Sequence, residues 1–381
     1  MKQAVMSARI PRHVVLLVLA SLGSPSDAFA QSGCHPPIVD LSALDGTDGF
    51  VIPGIVAGDM TGHAVSGTGD LDGDGYRDVM LGAPSSDPVS GEGAVYVVFG
   101  RGSFPPVVDP STLSGADGFT MLGHTGDRLG WTLSDAGDVN GDGLGDLALG
   151  MLHTLFLEYN TAYVVFGSAT PWPASFDPYY MNGSSGFRFW SEYMENVVGA
   201  IVGPGGDVNG DGLDDVLVSV ATYSSVGETA VIFGGTSGFP LAAADLDGTN
   251  GFLVNAYGAL SRAGDVNGDG FDDFMIGDPN LGSARGSAFV VFGAGGGFPA
   301  YPFWFDVATL DGTNGFEIQG VAPGDRAGTS VAALGDVNGD GRGDLLVSAA
   351  GVAGGSGAAY VVYGPVLRAR SPSRASTAAA A

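Results

Sequence analysis

The stretch Asp70-Leu71-Asp72-Gly73-Asp74-Gly75-Tyr76-Arg77-Asp78 recurs four more times, with small changes, along a chain of 381 residues. The later copies are DVNGDGLGD at 138–146, DVNGDGLDD at 207–215, DVNGDGFDD at 265–273 and DVNGDGRGD at 336–344. Their first aspartates are separated by 68, 69, 58 and 71 residues. Recurrence in this register indicates a repeat protein in which each copy belongs to one structural unit.

Each nonapeptide places oxygen donors at alternate positions. Positions 1, 3, 5 and 9 carry Asp or Asn side chains, and position 7 offers a backbone carbonyl. The predicted metal ligands are Asp70, Asp72, Asp74, Tyr76 and Asp78; Asp138, Asn140, Asp142, Leu144 and Asp146; Asp207, Asn209, Asp211, Leu213 and Asp215; Asp265, Asn267, Asp269, Phe271 and Asp273; and Asp336, Asn338, Asp340, Arg342 and Asp344. Calcium takes about six to eight such oxygens. Because the loops contain no His or Cys, zinc and copper are disfavoured, and we expect about five Ca²⁺ sites.

Two other interpretations of the loop were weighed. An EF-hand needs a Glu at position 12 and flanking helices. That position holds Leu81, Leu149, Val218, Ile276 and Val347, and the flanks are strand-like. An Asp-Gly stretch can also be an ordinary hairpin turn. Five copies with acids or amides at the same positions favour metal binding over five turns.

The charge of the chain agrees with bound cations. Lys and Arg number 14 against 41 Asp and Glu, a net charge of −27. Such an excess disfavours nucleic acid and anionic membranes as partners. Sixteen of the carboxylates are predicted metal ligands in the five loops. Since they repel one another without a cation, we expect folding to be coupled to metal binding.

Short apolar runs recur in phase with the loops. VMLGAP from Val79 follows the first loop, AVYVVFG ends at Gly100, and a turn such as LDGTDGF, ending at Phe50, precedes each loop. These β-branched and aromatic runs predict about four short strands per unit. A small sheet of this kind cannot bury both faces alone, and five sheets around an axis bury them together. The expected fold is all-β: a β-propeller of five blades of about four antiparallel strands.

The expected organisation is one domain over 36–367, with repeats at 36–103, 104–170, 171–237, 238–301 and 302–367. Lys2, Arg9 and Arg12, an apolar run from Val14 and the small residues of Ala28-Phe29-Ala30 predict a signal peptide at 1–30. Residues 368–381 are a low-complexity tail expected to be disordered. The lone Cys34 permits no internal disulfide; it is either a free thiol or a lipid attachment site. No later segment is long enough to span a bilayer.

The motifs together resemble the FG-GAP repeat family, the β-propeller at the head of integrin α subunits. Phe99-Gly100 and Gly82-Ala83-Pro84 match its two naming motifs, and Gly126-Asp127-Arg128-Leu129-Gly130 and Gly324-Asp325-Arg326-Ala327-Gly328 match its approach to the loop. The resemblance covers nearly all of the predicted mature chain. Only the first unit has a full GAP, and five repeats are visible where integrins have seven.

The resemblance implies a secreted or cell-surface scaffold for adhesion or ligand binding, with the periplasm as an alternative location. The partner would be a protein or a glycan. Arg342-Gly343-Asp344 spells an adhesive tripeptide, but Asp344 is a predicted metal ligand, so RGD-type adhesion is not expected. The chain lacks HExxH, GxSxG and paired Cys-His patterns, so an enzyme is not expected. The alternative function is a calcium-dependent polysaccharide lyase or hydrolase. His63 and His124 are expected to be ordinary polar surface residues.

Overall fold

The structure is a computed structural model that describes residues 39–86, 91–152, 161–190, 197–222 and 227–364. The predicted signal peptide, Cys34 and the tail at 368–381 lie outside the described residues. Within the described ranges, regular structure is almost wholly β. No helix in these ranges has the length and apolar character needed to cross a membrane.

Twenty strands form five sheets that follow one another along the chain, here called blades 1 to 5. Blade 1 contains β1 (Val65–Gly67), β2 (Val79–Ala83), β3 (Ala94–Val98), β4 (Gly118–Leu122) and the short β8 (Ser175–Phe176). Blade 2 contains β5 (Thr132–Gly137), β6 (Asp146–Gly150), β7 (Thr161–Val165) and β9 (Gly186–Trp190). Blade 3 contains β10 (Val197–Gly206), β11 (Asp215–Thr222), β12 (Glu228–Ile232) and β13 (Gly251–Val254).

Blade 4 contains β14 (Ala259–Gly264), β15 (Asp273–Asp278), β16 (Ser287–Val291) and β17 (Gly315–Gln319). Blade 5 has three strands within the described residues: β18 (Ala327–Gly335), β19 (Asp344–Ala349) and β20 (Ala358–Val362). The 3₁₀ turns are Leu41–Ala43, Pro110–Thr112, Pro178–Tyr180, Ala243–Asp245 and Val307–Thr309. The α-helical turns are Leu281–Ala284 and Val352–Gly355.

In blades 1 to 4, the fourth strand comes from the next repeat. The Gly-Phe segment at the end of the turn that begins a repeat pairs with the VVFG strand of the preceding repeat. For example, β4 pairs with β3 through Phe119 and Val97. The same holds for β9, β13 and β17. The sequence-based unit, which kept each GF strand with its own loop, was therefore wrong in this respect. The landmark follows a tight turn, and only tertiary pairing decides which sheet it joins.

The blades are arranged as a propeller, as the sequence predicted. Their first strands, β1, β5, β10, β14 and β18, lie beside one another in that order. Apolar clusters fill the spaces between successive blades. One cluster joins Leu217 and Val231 of blade 3 to Phe274 and Ile276 of blade 4. Blades 2 to 4 thus bury both faces against their neighbours, whereas blades 1 and 5 each have a described neighbour on one face only.

Burial on both faces explains why the strands are apolar at successive positions. In β15, Phe274 and Ile276 pack towards blade 3, whereas Met275 packs towards blade 5 with Leu345. A strand with one solvated face would alternate apolar and polar residues. The β-branched residues of these strands suit a pleated sheet that is packed on both sides.

Candidate metal centre

All five Asp-rich nonapeptides are loops between the first and second strands of a blade. They connect β1 to β2, β5 to β6, β10 to β11, β14 to β15 and β18 to β19. Since they join equivalent strands, the loops lie at the same end of each blade. In blades 2 to 5 a shift in strand register, as between Asp135 and Gly137, immediately precedes the loop.

The aspartate at position 1 organises the turn. In the first loop, Asp70 Oδ1 accepts the amide of Asp74 at 3.0 Å, and its Oδ2 accepts the amide of Gly75 at 2.8 Å. The amides of positions 5 and 6 donate to position 1 in every loop. Gly73 and Gly75 adopt φ of +79° and +91°, a left-handed conformation that favours glycine.

Positions 3, 5 and 7 are connected in sequence. In the second loop, the amide of Asp142 donates to Asn140 Oδ1 at 2.8 Å, and Asn140 Nδ2 donates to Asp142 Oδ2 at 3.0 Å. The amide of Leu144 donates to Asp142 Oδ1 at 2.9 Å. Residues 7 of the other loops donate in the same way: Tyr76, Leu213, Phe271 and Arg342. The predicted ligands therefore form one compact turn.

The aspartate at position 9 has a second role that sequence reasoning missed. Asp215 is fully buried, and it accepts the amide of Val208 with Oδ2 and the amide of Gly234 with Oδ1, both at 2.8 Å. The equivalent pair of bonds occurs at Asp78, Asp146, Asp273 and Asp344. Each position-9 carboxylate thus joins its loop to the glycine of the FG motif.

That glycine also lies against the loop backbone. A Cβ on Gly100 would be 2.4 Å from the carbonyl oxygen of Arg77, at position 8, and one on Gly234 would be 2.7 Å from that of Asp214. A methyl group at either place would push the third strand from the loop. The recurrence of Gly after an aromatic residue, in phase with the loops, was the sequence signal for this contact.

Burial raises the pKa of the position-9 carboxyl groups in the absence of a cation. The pKa is about 6 for Asp78, about 7 for Asp146 and Asp273, and about 8 for Asp215. Their accepted amide bonds act in the opposite direction, and the nearby acids at positions 1, 3 or 5 raise the pKa further. A bound cation would favour the ionised form instead.

The donor sets fit a hard cation. Asp70, Asp72 and Asp78 place carboxylate oxygens within 4.8 Å of one another, although Asp74 is not part of this group. Among the described residues, no other loop gathers three carboxylates so closely, because position 3 is Asn there. An amide oxygen and carboxylates from a turn of this shape are ligands that Ca²⁺ accepts.

Backbone bonds connect the loops to the following blade. The amide of Gly145 in blade 2 donates to the carbonyl of Asp70 at 2.9 Å, and the amide of Ser168 donates to that of Leu71 at 2.8 Å. Equivalent pairs join the second loop to blade 3 and the third loop to blade 4, through the amides of Asp214, Gly235, Asp272 and Ala294. Each of these loops is therefore part of a blade interface.

Position 2 completes that interface with an apolar side chain. Leu71, Val139, Val208 and Val266 are fully buried in the clusters between blades. The loop that would hold a cation thus fixes an apolar side chain in the core. Metal binding at the loop would therefore act on the same nine residues as blade packing.

The aspartate of the adhesive tripeptide is not presented at the surface. Asp344 is fully buried, and its carboxylate accepts the amides of Val337 and Gly364 at 2.9 Å. The prediction against RGD-type adhesion agrees with this geometry.

The histidines lie apart from the loops. His63 packs on Trp131, with ring centroids 4.4 Å apart. His124 Nε2 lies 3.1 Å from Asp177 Oδ2, and its ring contacts Tyr179 at 5.0 Å. His124 therefore belongs to an exposed aromatic group, a feature that sequence reasoning did not identify. His35 and His153 lie outside the described residues.

Comparison with known proteins supports the repeat. The FG-GAP repeat family matches residues 61–98 and 327–362. Integrin alpha-4 of Xenopus laevis is 29% identical over 171 residues, which is 44% of this chain and 15% of the integrin. Integrin alpha-PS2 of Drosophila melanogaster is 35% identical over 127 residues, 31% of this chain and 8% of the integrin. The chain thus matches only a small part of each integrin.

Among solved structures, the BP39L lectin from Burkholderia pseudomallei overlays with a TM-score of 0.40 and 13% sequence identity. The overlay covers 79% of this chain and 66% of the lectin. The family match falls on the first and last of the five loop-bearing units, and the three units between them repeat the same strands and loop bonds. The chain contains FG-GAP repeats at residues 61–98 and 327–362, and it is similar to integrin α subunits over part of its length.

Proposed function

We propose that this protein is a secreted, calcium-stabilised β-propeller that binds a protein or glycan ligand outside the cell, and that it is not an enzyme. The observation that carries the proposal is the double role of the loops of blades 1 to 4, whose position-9 carboxylate joins the turn to the FG glycine while position 2 packs between blades. A cation held there would stabilise the scaffold itself. The catalytic alternative has no comparable support among the described residues.

Calcium is the cation proposed for the loops. The donors are carboxylate and amide oxygens, which suit calcium better than zinc or copper. FG-GAP repeats of the integrin α type are associated with divalent cations, in agreement with this assignment. At a calcium concentration about 100 times the dissociation constant, each independent site would add about 2.7 kcal/mol to the free energy of unfolding.

An aromatic group at the outer edge of blades 1 and 2 is the proposed ligand contact. Five 3₁₀ turns occupy equivalent places in the repeats, and only Pro178–Tyr180 carries two tyrosines. Tyr180 is 74% exposed, Tyr179 lies against His124, and Arg188 lies over the rings of Tyr179 and Trp190. The fold does not need these side chains, since the other turns lack them. Exposed Tyr, Trp and Arg are the residue types that dominate binding energies.

Removal of calcium should destabilise the protein. We expect EDTA to lower the melting temperature sharply, and Asp207→Asn to remove one site from the calcium stoichiometry measured by titration calorimetry. Asp247→Asn is the matched control, since Asp247 also accepts backbone amides in an exposed turn but lies outside the five nonapeptide loops. An unchanged melting curve in EDTA, or equal stoichiometry in both variants, would contradict the calcium assignment.

The metal-free protein should lose stability as the pH rises. Burial raises the folded-state pKa of Asp78, Asp146, Asp215 and Asp273 to about 6 to 8. Such groups contribute stability below their unfolded pKa of about 4, and that contribution is lost as pH rises through the folded pKa. In EDTA, we therefore expect the melting temperature to fall from about pH 4 to about pH 8, between the unfolded-state pKa and the highest folded-state pKa.

Saturating calcium should remove or reverse this trend, because the cation binds the ionised carboxylates and releases their protons. Calorimetry of the metal-free protein across the pH range is the measurement. The double variant His63→Asn, His124→Asn is the control, because it removes both described imidazoles and leaves every loop carboxylate in place. A melting temperature that is constant or rises with pH in EDTA would be evidence against the buried carboxyl groups as its source.

The ligand can be sought with a glycan array and a panel of extracellular proteins, each probed in calcium and in EDTA. We expect binding in calcium that Tyr180→Ala weakens at least 10-fold. Phe303→Ala is the control, because Phe303 is also exposed and lies elsewhere. Equal loss in both variants would exclude the aromatic group as the contact. Turnover of a polysaccharide on the array would favour the alternative function, a calcium-dependent polysaccharide lyase or hydrolase.

A further inference from the structure

The two ends of the arc of blades expose apolar side chains that every other blade buries. Position 2 of the loop is fully buried in blades 1 to 4, but Val337 of blade 5 is 55% exposed. Val361 and Tyr363 of blade 5 are 50% and 59% exposed. Their equivalents are Val97 and Phe99, Val164 and Phe166, Val231 and Phe233, and Val290 and Phe292, all of which are buried. The outer face of blade 5 therefore has the composition of a blade interface.

Blade 1 presents the opposite half of such an interface. Within blade 2, Leu133, Leu147 and Leu149 receive Leu71, Val97 and Phe99 of blade 1. Their equivalents in blade 1 are Val65, Val79 and Leu81, which together with Phe50 and Ile52 line an open groove of about 510 Å³. Val65 is 66% exposed.

The strands at the two ends are also complementary. Phe50 and Ile52 pack on blade 1 as Phe119 and Met121 of β4 pack on blade 2. Val51 bridges to Val107 on one side, as Thr120 of β4 pairs with Ser175. No described strand pairs with the other side of this segment. The segment is placed as the fourth strand of a blade whose first three strands are missing.

Blade 5 has the converse arrangement. It contains three strands within the described residues, and β20 forms its edge. In the other blades this edge pairs with the GF strand, in the register Tyr96↔Thr120 and Phe289↔Glu317. By equivalence, Tyr360 would pair with Val51 and Val361 with Phe50. Three strands at one end and one at the other make a complete blade.

We propose that this surface binds a second copy of the chain, head to tail. Blade 5 of one copy inserts Val337, Val361 and Tyr363 into the groove on blade 1 of the next copy, and the segment Gly49–Ile52 of that copy becomes the fourth strand of blade 5. A same-chain partner is favoured over an unrelated one because both halves of the interface repeat a junction that this chain already forms four times. The backbone hydrogen-bond donors and acceptors at the two ends are also complementary.

At three junctions within the chain, the amides of position 8 and of the residue after the FG glycine donate to the carbonyls of positions 1 and 2 of the preceding loop. The corresponding donors at the free end of blade 1 are the amides of Arg77 and Arg101, and the corresponding acceptors on blade 5 are the carbonyls of Asp336 and Val337. Because the two surfaces differ, the contact is heterologous and builds rings or open assemblies rather than two-fold dimers.

Disulfide cross-linking of the full chain in calcium tests the proposal. Cys34→Ser is the background, and Val51→Cys and Tyr360→Cys are made in separate chains. A non-hydrogen-bonded antiparallel pair has Cα atoms about 4.5 Å apart, within the range of a disulfide. We expect oxidation of the mixture to give a cross-linked dimer of one Val51→Cys chain with one Tyr360→Cys chain. Val51→Cys mixed with Leu122→Cys is the control and should give none.

Sedimentation over a range of concentrations gives an independent measurement. We expect mass to increase with concentration, and Tyr363→Glu to weaken association at least 10-fold while leaving the melting temperature at low concentration unchanged. Phe303→Glu is the control, because Phe303 is also an exposed aromatic residue and belongs to neither end surface. A monomer at all concentrations, or a double-cysteine chain that cross-links only within itself, would overturn the proposal. Ligand binding by a monomer would leave the proposed function intact.

Discussion

The structure depends on the pair of hydrogen bonds that each position-9 aspartate accepts. One bond holds the amide of position 2, whose side chain enters the core between blades, and the other holds the FG glycine of the third strand. A buried carboxylate in this place is costly unless its oxygens are satisfied. Two amides from different segments satisfy it in part, and a cation beside positions 1, 3 and 5 would neutralise its charge.

This constraint makes the acidic loops part of the core. The chain carries a net charge of −27, and charge repulsion of that size opposes a compact state. The acids are nevertheless concentrated where blades meet, and the backbone of three loops bonds to the next blade. Cations at these places would offset the repulsion and join the blades. No internal disulfide can link the blades, because the chain has a single cysteine. Bound cations would stabilise the junctions between blades instead.

Most of the fold and the compact turns of the candidate metal loops could be predicted from the sequence, because both follow from a repeated local pattern. The β-branched runs predicted the strands, and the nonapeptides predicted the loops between them, whereas their role as metal donors stays a prediction. The role of Asp215 as an acceptor from Gly234 could not be read from spacing, because the two lie in different strands. For the same reason, the sequence-based units placed Phe119 in the sheet of its own loop, whereas it pairs with Val97 of the preceding repeat. The exposed Tyr363 occupies the same sequence position as the buried Phe292, and sequence alone does not distinguish them, because the difference lies in the blade that packs on Phe292.

Hydrogen exchange measured by mass spectrometry, with and without calcium, tests most directly whether cations hold the blades together through these bonds. The informative amides are Gly234, which donates to Asp215, and Gly235, which donates to Val139 of the preceding blade. In calcium, both should exchange as slowly as the amides within β12. In EDTA, we predict that their exchange accelerates at least 100-fold. Unchanged protection of Gly234 and Gly235 in EDTA would contradict the account.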